Sequence, residues 1–406
     1  MPSEIEIHGR CDARFARVRE AFEENFRARE ELGAAVAIAL DGEPVVDLWA
    51  GHTDLARTQP WQRDTLVNVY STTKGVTALA AHRLVDEGKL DLDAPVASYW
   101  PEFAQAGKGA LPVRWLLSHR AGLPAVRKLL PNEALYDWDA MTSALAAEAP
   151  WWEPGSSHGY HAVSFGWLVG EVVRRIAGKS LGGYVRETFA EPQAQRAARA
   201  EPERSHGAGL DFHIGLAESE HARVADIVQP AAPDPNGEAA QLFVRALADP
   251  EGVTARAFMN PPSMAFGPNV PAWRSAEIPG ANGHGTARAL AVLYGRAALG
   301  DAGGVISSDA TLRCRAEQSR GPDLVLGVPT RFGQGFMLRQ ETHEGGRCLG
   351  TGAFGHPGAG GSLAFADPER RLGFGYVMNR MGPRILLDDR AIALVEAASA
   401  CLGARA

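Results

Sequence analysis

The sequence predicts an α+β fold in which one antiparallel sheet, built from both ends of the chain and flanked by helices, joins a mostly helical lobe. Hairpin patterns occur near both termini, at residues 34–49 and 362–379, whereas helical and loop patterns fill the middle. Strand–helix–strand alternation and internal repeats are absent from the sequence, so a parallel sheet is not expected. We expect a discontinuous sheet domain (residues 1–90 and 285–406), a helical lobe (residues 91–284) and a ligand site at the seam between them.

The elements of the N-terminal half follow from hydrophobic spacing and turn chemistry. Phenylalanines at helical spacing among charges indicate an amphipathic helix, Asp41-Gly42 is a typical hairpin turn, and Gly88 is a typical helix C-cap. The predicted elements are a helix within residues 10–32, hairpin strands at 34–40 and 45–49, an extended stretch at 65–70 that leads to Ser71, and a helix from there to about residue 87.

The remaining elements follow from the same signals. An apolar face followed by Gly178 predicts a buried helix, and a Pro-Glu-Arg turn joins two apolar stretches near the C-terminus into a hairpin. The predicted elements are helices at 164–177, 286–299 and 390–402, strands beginning at 332–338, and the hairpin of 362–367 with 371–379. Two segments without a periodic apolar face, 191–210 and 229–238, are predicted as mobile surface loops, and 260–279 as an irregular stretch.

Composition restricts the classes of function. The 406 residues, 45% of them hydrophobic, can bury a large core, and the net charge of -7 argues against non-specific nucleic-acid binding. The N-terminal residues do not resemble a signal peptide, and no apolar run reaches the roughly 18 residues of a membrane span. The four cysteines show no paired spacing and are expected to be free thiols. We therefore expect a cytoplasmic protein that acts on a small molecule, with its oligomeric state open.

The sequence gives no reason to expect a metal or an organic cofactor. His158 and His161 have ligand-like spacing, but no acidic or cysteine partner lies near them. The chain also lacks a His-Glu-x-x-His motif. We expect neither kind of group.

Ser71 and Lys74 form the stretch on which the functional argument depends. Residues three apart on a helix share a face, so the amine of Lys74 can lie against the hydroxyl of Ser71. A serine becomes a nucleophile when a neighbour takes its proton, and a lysine can do so if burial lowers its pKa. Of the five lysines, only Lys74 follows a serine by three residues. The spacing alone also fits an N-cap serine beside a solvated lysine.

Four short motifs occur in the order of the landmarks of a known superfamily. They are Ser71-Thr72-Thr73-Lys74, the segment from Leu116 to Pro124, Glu153-Pro154-Gly155 followed by Gly159-Tyr160-His161, and the segment from Gly355 to Ser362. With these motifs the chain resembles the class C β-lactamase-like serine hydrolases and, within them, most resembles the family VIII carboxylesterases. The similarity runs from about residue 30 to the C-terminus, interrupted at 191–210, and implies a β-lactamase/transpeptidase-like fold.

The resemblance also implies catalytic roles. Ser71 would be the acylated nucleophile and Lys74 its base or base relay. Tyr160 matches the tyrosine of the family's Tyr-x-Asn or Tyr-x-x motif and would share the proton transfer, returning the proton to the leaving alcohol. Cationic neighbours are expected to lower the pKa of Tyr160. The backbone N–H groups of Ser71 and Ala359 would form the oxyanion hole.

His356-Pro357-Gly358 occupies the place of the Lys-Thr-Gly strand of β-lactamases and departs from it. The permanent charge of a lysine is replaced by a histidine that is expected to be mostly neutral near pH 7, and a proline replaces the threonine. Both changes favour uncharged esters over substrates that bear a carboxylate. Gly358 is expected to let this strand approach the substrate closely. The predicted substrate-binding residues are His356, Gly358, Trp152, His284 and Phe354.

Two other serines lie in near misses to the Gly-x-Ser-x-Gly motif. Neither Ser362 nor Ser164 has the strand–turn–helix context of a nucleophile elbow in a parallel sheet. Ser118-His119 is interpreted as a structural turn in which His119 bonds the backbone.

The favoured hypothesis is a serine carboxylesterase that hydrolyses small short-chain carboxylic esters through an acyl-enzyme on Ser71. A β-lactamase or D-Ala-peptide hydrolase, and an acyltransferase or amide hydrolase acting at the same site, stay open as enzymatic alternatives. An inactive binding module of the same fold is the non-enzymatic alternative.

Overall fold

The computed structural model describes residues 5–190, 210–230, 237–262, 267–343 and 345–403. The strands are β1 (His8–Cys11), β2 (Gly33–Leu40), β3 (Glu43–Gly51), β4 (Leu66–Asn68), β5 (Phe212–His213), β6 (Val224–Ala225), β7 (His284–Gly285), β8 (Ser319–Pro322), β9 (Pro329–Phe332), β10 (Met337–Leu338), β11 (Phe354–Pro357), β12 (Leu363–Asp367) and β13 (Leu372–Met378). The α-helices are α1 (Ala16–Ala28), α2 (Thr72–Asp86), α3 (Val113–Leu117), α4 (Trp138–Ala147), α5 (Ser164–Ala177), α6 (Leu181–Val185), α7 (Glu238–Ala248), α8 (Val253–Met259), α9 (Pro271–Ser275), α10 (Ala287–Ala298), α11 (Ser308–Arg315) and α12 (Asp389–Leu402).

The main sheet has nine strands in the order β1-β3-β2-β13-β12-β11-β10-β9-β8, and all its neighbours pair antiparallel. The two ends of the chain meet in its interior, where β13 pairs with β2 from Leu372 opposite Leu40 to Met378 opposite Ala34. The predicted antiparallel sheet from both termini is therefore confirmed. Both predicted hairpins, β2–β3 and β12–β13, are present.

Helices cover both faces of this sheet. On one face α1 and α12 pack together, and Val18 and Phe22 of α1, with Phe15 just before it, are buried as the amphipathic spacing predicts. On the other face α10 packs on β2 and β13. The buried side chains form two hydrophobic clusters, one on each face of the sheet. The cluster on the α10 face extends into α2 and α5. Among the helices of the described segments, none is long and apolar enough to cross a bilayer.

The hydrophobic core divides according to the faces of the sheet. Residues on opposite faces of β13, such as Phe374 and Val377, belong to different clusters. The cluster that contains Val377 continues through the helices of the middle of the chain without a break near residue 90 or residue 285. The division into residues 1–90 with 285–406 and residues 91–284 stays a prediction.

A second sheet, in the order β5-β7-β4-β6, was not predicted. The extended stretch predicted at 65–70 forms β4 of this small sheet and not a strand of the main sheet. Its other strands have two residues each and depend on long-range pairing, such as Phe212 opposite Gly285. Helices α7 and α8 were also missed, and α9 interrupts the stretch predicted as irregular. The loops predicted at 191–210 and 229–238 fall largely outside the described residues.

Two glycines of β13 allow α10 to lie directly on the sheet. A Cβ atom on Gly375 would lie 2.3 Å from the carbonyl oxygen of Ala287 and 3.0 Å from the backbone nitrogen of Ala291. A Cβ atom on Gly373 would meet the backbone of the same helix at 2.0 Å. Any side chain here would push helix and sheet apart.

Gly375→Ala is therefore expected to lower the free energy of unfolding by about 2 kcal/mol or more, the usual scale of overpacking in a core. Gly109→Ala is the matched control, since the nearest atom to its Cβ would lie 3.9 Å away. Urea unfolding of both variants measures the difference. Equal stabilities would contradict the close packing of α10 on β13.

Candidate active site

Ser71 lies at a sharp turn between β4 and α2. The preceding residue, Tyr70, has a φ of 45°, a left-handed conformation that is uncommon for a residue with a side chain. The turn is held to the small sheet because Val69 N–H donates to Gly283 O at 2.9 Å. Ser71 is the N-cap residue of α2, but its hydroxyl makes no capping hydrogen bond. The hydroxyl is therefore available to a different partner.

That partner is Lys74, which is fully buried. Its Nζ atom lies 3.0 Å from Ser71 Oγ, 2.6 Å from Ala162 O and 2.7 Å from Gly280 O. Burial lowers the pKa of Lys74 well below its ordinary value. A neutral amine has two N–H groups, one for each carbonyl, and its lone pair then faces the hydroxyl of Ser71. The alternative of a solvated lysine is wrong, and the geometry suits removal of the serine proton.

Tyr160 completes a cluster of hydroxyl, amine and phenol. It lines the same cleft as Ser71, close enough for its phenol to interact with the serine hydroxyl, and Lys74 Nζ lies 4.7 Å from the centroid of its ring. The ring stacks on Phe332 with centroids 6.1 Å apart and lies against His119 at 5.0 Å. The structure thus brings together the three side chains that the sequence predicted to converge.

The expectation that cationic neighbours lower the pKa of Tyr160 is wrong. Burial raises the pKa of this phenol above its ordinary value, and the interaction with Ser71 acts in the opposite direction. A neutral Lys74 supplies no charge that would overcome the effect of burial. Tyr160 is therefore a neutral phenol in the resting site, suited to donating or relaying a proton.

Asp323, which the sequence analysis missed, fixes the main chain at Tyr160. Its buried Oδ1 atom accepts N–H bonds from Tyr160 at 2.9 Å, Val325 at 2.9 Å and Leu326 at 2.8 Å. Its Oδ2 atom accepts the hydroxyl of Thr330 at 3.0 Å. One carboxylate therefore ties the loop of Tyr160 to the segment before β9. A lone aspartate after a proline gives no local signal of this role.

The histidines beside the cluster are neutral and hold the backbone. His161 Nε2 accepts Leu123 N–H at 3.1 Å, so its Nδ1 carries the proton and donates to Gly159 O at 2.7 Å. Burial lowers the pKa of His161 to about 3. His119 Nδ1 accepts the N–H of His161 at 3.1 Å, in agreement with the predicted structural turn. In the described part of the chain, no group of three or more His, Cys, Asp or Glu side chains could hold a metal ion.

His356 lies beside Ser71 in the predicted position and is neutral. Its Nδ1 donates to Pro357 O at 2.7 Å. Burial, and then the charge that Lys74 would carry when protonated, lowers the pKa of His356 to about 3. The strand therefore presents no fixed cation to a ligand.

The packing of its own turn requires a glycine at position 358, and its predicted approach to the substrate stays a prediction. A Cβ atom there would lie 2.1 Å from Ser362 Oγ and 2.2 Å from Val69 O. The glycine is needed so that its turn can pack against the chain before Ser71. Through this contact Ala359 comes to line the same cleft as Ser71.

The two competing serines are engaged in structural hydrogen bonds. Ser362 Oγ donates to Val69 O at 2.8 Å and lies 3.1 Å from Thr72 Oγ1. Ser164 Oγ donates to Leu123 O at 2.8 Å. Neither has a base arranged like Lys74 beside Ser71.

The cleft beside Ser71 has a volume of about 160 Å³ and a mostly apolar lining. Its walls include Leu242 of α7 and Phe258 of α8, helices that the sequence did not predict. Arg384 is the one charged side chain among the described lining residues, and it is paired with Asp389 at 3.0 Å. The cleft therefore suits an uncharged, apolar group.

Three of the predicted substrate-binding residues lie elsewhere, and the assignment is corrected. Trp152 lines a separate cleft with Trp115. His284 is buried in β7 of the small sheet. Phe354 packs in the core, where its ring centroid is 4.9 Å from that of Phe336. Loop composition does not encode which cleft a loop faces.

The fold and the arrangement at Ser71 define a serine hydrolase of the β-lactamase-like class. The Beta-lactamase family profile matches residues 18–397, and the chain belongs to this family. It is 36% identical over 395 residues to the esterase/beta-lactamase LipL of Mycobacterium tuberculosis, a match that covers 95% of this chain and 86% of LipL.

Two solved structures are similar over nearly the whole chain. A family VIII carboxylesterase has 41% identity and a TM-score of 0.84, with 98% of this chain and 100% of that chain covered. A penicillin-binding protein homologue from Caulobacter crescentus has 42% identity, the same TM-score of 0.84 and the same coverage of 98% and 100%. The predicted family and fold are therefore confirmed.

The reactivity of Ser71 is expected to fall as the pH drops through the pKa of Lys74, because only the neutral amine can accept the serine proton. Since burial lowers that pKa, the rate should reach its plateau well below pH 10.5. The rate constant for labelling of Ser71 by a fluorophosphonate, measured against pH, tests this. Lys89→Met, which removes an exposed lysine, should leave the profile unchanged. An apparent pKa near 10.5 would contradict the neutral amine.

Proposed function

We propose that the protein is a serine carboxylesterase that hydrolyses small, uncharged, short-chain carboxylic esters through an acyl-enzyme on Ser71. The observation that carries the proposal is the buried amine of Lys74, held by two backbone carbonyls 3.0 Å from Ser71 Oγ. The names of two similar proteins, the esterase/beta-lactamase LipL and a family VIII carboxylesterase, support the same reaction class.

In the acylation step, Lys74 accepts the proton of Ser71 while Oγ attacks the ester carbonyl carbon. The negative charge that develops on the carbonyl oxygen is stabilised by the backbone N–H groups of Ser71 and Ala359. The tetrahedral intermediate then expels the alkoxide, which takes a proton relayed from the Lys74 ammonium through the phenol of Tyr160. The products are the free alcohol and an ester of Ser71.

In the deacylation step, a water molecule attacks the acyl carbon from the cleft. The neutral Lys74–Tyr160 pair accepts the water proton, and Ser71 Oγ recovers a proton as it leaves. The carboxylic acid product ionises in solvent. No step requires a metal or an organic cofactor, because the side chains of the cluster supply every proton transfer.

The lining of the cleft supports the uncharged substrate class. His356 is neutral because burial lowers its pKa to about 3, and Arg384 is already paired with Asp389. A substrate carboxylate would therefore be desolvated without a free cation to receive it. This argues against β-lactams and D-Ala peptides as the main substrates, although the similarity to a penicillin-binding protein homologue keeps them as the second candidate class.

The proposed compartment is the cytoplasm, and the proposed substrates are small-molecule esters. The four cysteines are free thiols in the structure, which is the usual state in a reducing compartment. Side-by-side assay of esters, amides and β-lactams, with water and an alcohol as competing acceptors, separates hydrolysis of each class from acyl transfer.

Ser71→Ala is expected to abolish turnover of a short-chain nitrophenyl ester, since among the described residues Ser71 supplies the serine hydroxyl that is hydrogen-bonded to the Lys74 amine. Lys74→Ala and Tyr160→Phe should each lower kcat by at least about a hundredfold, the usual scale of a lost general base. Ser164→Ala, which removes a buried structural hydroxyl, is the matched control. Activity in Ser71→Ala would point to another nucleophile, and a protein without any labelling or turnover would be an inactive binding module.

His356→Lys is expected to raise the activity on a carboxylate-bearing β-lactam relative to a neutral ester, because it supplies the cation that the strand lacks. The ratio of the two kcat/KM values is the measurement. An unchanged ratio would show that residue 356 does not set the charge preference.

A further inference from the structure

The turn that carries Ala359 consists of residues with little conformational restraint. Residues 358–361 read Gly-Ala-Gly-Gly, and Gly360 and Gly361 have φ values of 82° and 131°. Such a segment loses much conformational entropy when it is ordered. A backbone N–H that stabilises a transition state must nevertheless be held in place before the reaction. The turn therefore needs contacts from outside itself.

The carbonyl oxygen of Gly360 is where these contacts converge. It accepts the N–H of Gly382 at 2.9 Å and the Nη2 group of Arg390 at 2.9 Å. Arg390 lies in the first turn of α12 and is only 3% exposed. A hydrogen bond from a charged donor is stronger than one between neutral groups. Arg390 is thus the stronger of the two restraints on the turn.

Arg390 is itself held in one orientation. Its Nη1 group donates to Glu31 Oε1 at 3.0 Å and its Nε group to Asp388 Oδ1 at 2.7 Å. The hydroxyl of Tyr376 donates to the other oxygen of Glu31. Desolvation alone would lower the pKa of Arg390, but Glu31, Tyr376 and Asp388 together raise it above its ordinary value, so the side chain is charged. The three nitrogens of the guanidinium each have a different acceptor.

An ion cluster with only a structural role would not need the bond from Arg390 Nη2 to Gly360 O. A buried pair is weak evidence for stability, because well-packed apolar side chains often replace it without loss. Here the guanidinium connects two carboxylates to a carbonyl of a turn whose Ala359 and Gly360 line the same cleft as Ser71. The contact couples the ion cluster to the site.

We propose that Arg390 is a positioning residue of the oxyanion hole, which holds the carbonyl of Gly360 and thereby aligns the N–H of Ala359 with Ser71. The inference rests on the proposed function, in which that N–H binds the developing oxyanion. Arg390 does not contact the reacting atoms. It acts through the backbone of the turn.

The test compares two variants of the full-length protein. Glu31→Gln weakens the ion cluster but leaves Arg390 bonded to Asp388 and Gly360, so kcat should stay within about twofold of wild type. Glu31→Gln/Arg390→Met removes the cation, one of its two carboxylate partners and the bond to Gly360, while Asp388 keeps the backbone N–H bond of residue 390. In this double variant kcat should fall by about tenfold to a hundredfold with KM nearly unchanged, because loss of a whole oxyanion donor costs on the order of 10²–10³.

A second readout separates alignment of the donor from general loosening. Sulfur accepts hydrogen bonds more weakly than oxygen, so an intact hole should favour an ester over the thionoester with the same leaving group. This rate ratio should shrink in the double variant and stay unchanged in Glu31→Gln. Glu31→Gln/Arg390→Lys, which keeps a cation near Gly360 and protects the fold, should give an intermediate ratio.

The outcomes distinguish this inference from the function on which it rests. If Ser71 of the wild-type protein does not react with a fluorophosphonate and the protein does not turn over an ester, the proposed esterase function and the role of Arg390 both fail. If wild type is active and the Met and Lys double variants keep its kcat and its ester-to-thionoester ratio, the role of Arg390 is overturned while the esterase stands. A shrunken ratio in the Met variant with partial recovery in the Lys variant supports the proposal.

Discussion

The active site depends on one constraint, the burial of the Lys74 amine between two backbone carbonyls. An ammonium ion in this position would donate to both carbonyls and to Ser71, so it would offer no lone pair to the serine proton. Desolvation removes that state by lowering the pKa of the amine. The carbonyls of Ala162 and Gly280 then determine where the lone pair points. The protein thus makes a base from a lysine by excluding water and supplying acceptors.

The architecture of the chain serves this constraint. Lys74 comes from α2, Ala162 from the segment before α5, and Gly280 from the segment before β7. The segment of Ala162 also carries Tyr160, so the same stretch supplies a carbonyl to the amine and a phenol to the serine. The turn at Ala359 closes the site from the main sheet through the contact of Gly358 with Val69. Four distant parts of the sequence therefore meet at the site of Ser71.

Local patterns predicted those features that neighbouring residues determine. The Asp41-Gly42 hairpin and the helices that end before Gly88 and Gly178 form as predicted, because turn and cap residues act over a few positions. The Ser71–Lys74 contact also follows from helical spacing. Tyr160 was found only through its family resemblance, since nothing in its own segment indicates the direction of its side chain.

Long-range contacts explain what the sequence did not predict. The two-residue strands of the small sheet have no pattern of their own, and the walls formed by α7 and α8 depend on how those helices dock. Asp323 and Arg390 act through backbone groups far away in sequence. Trp152 was misassigned for the same reason, because aromatic composition near a motif does not specify the cleft that a side chain faces.

The most direct test of the central claim is the pKa of Lys74 itself. NMR titration of protein labelled at the lysine Cε and Nζ positions can resolve the five lysines, with Lys74→Met to assign the resonance. We expect Lys74 to titrate far below the ordinary pKa of a lysine side chain, and to be neutral when Ser71 reacts. A Lys74 that titrates at that ordinary value would contradict the account.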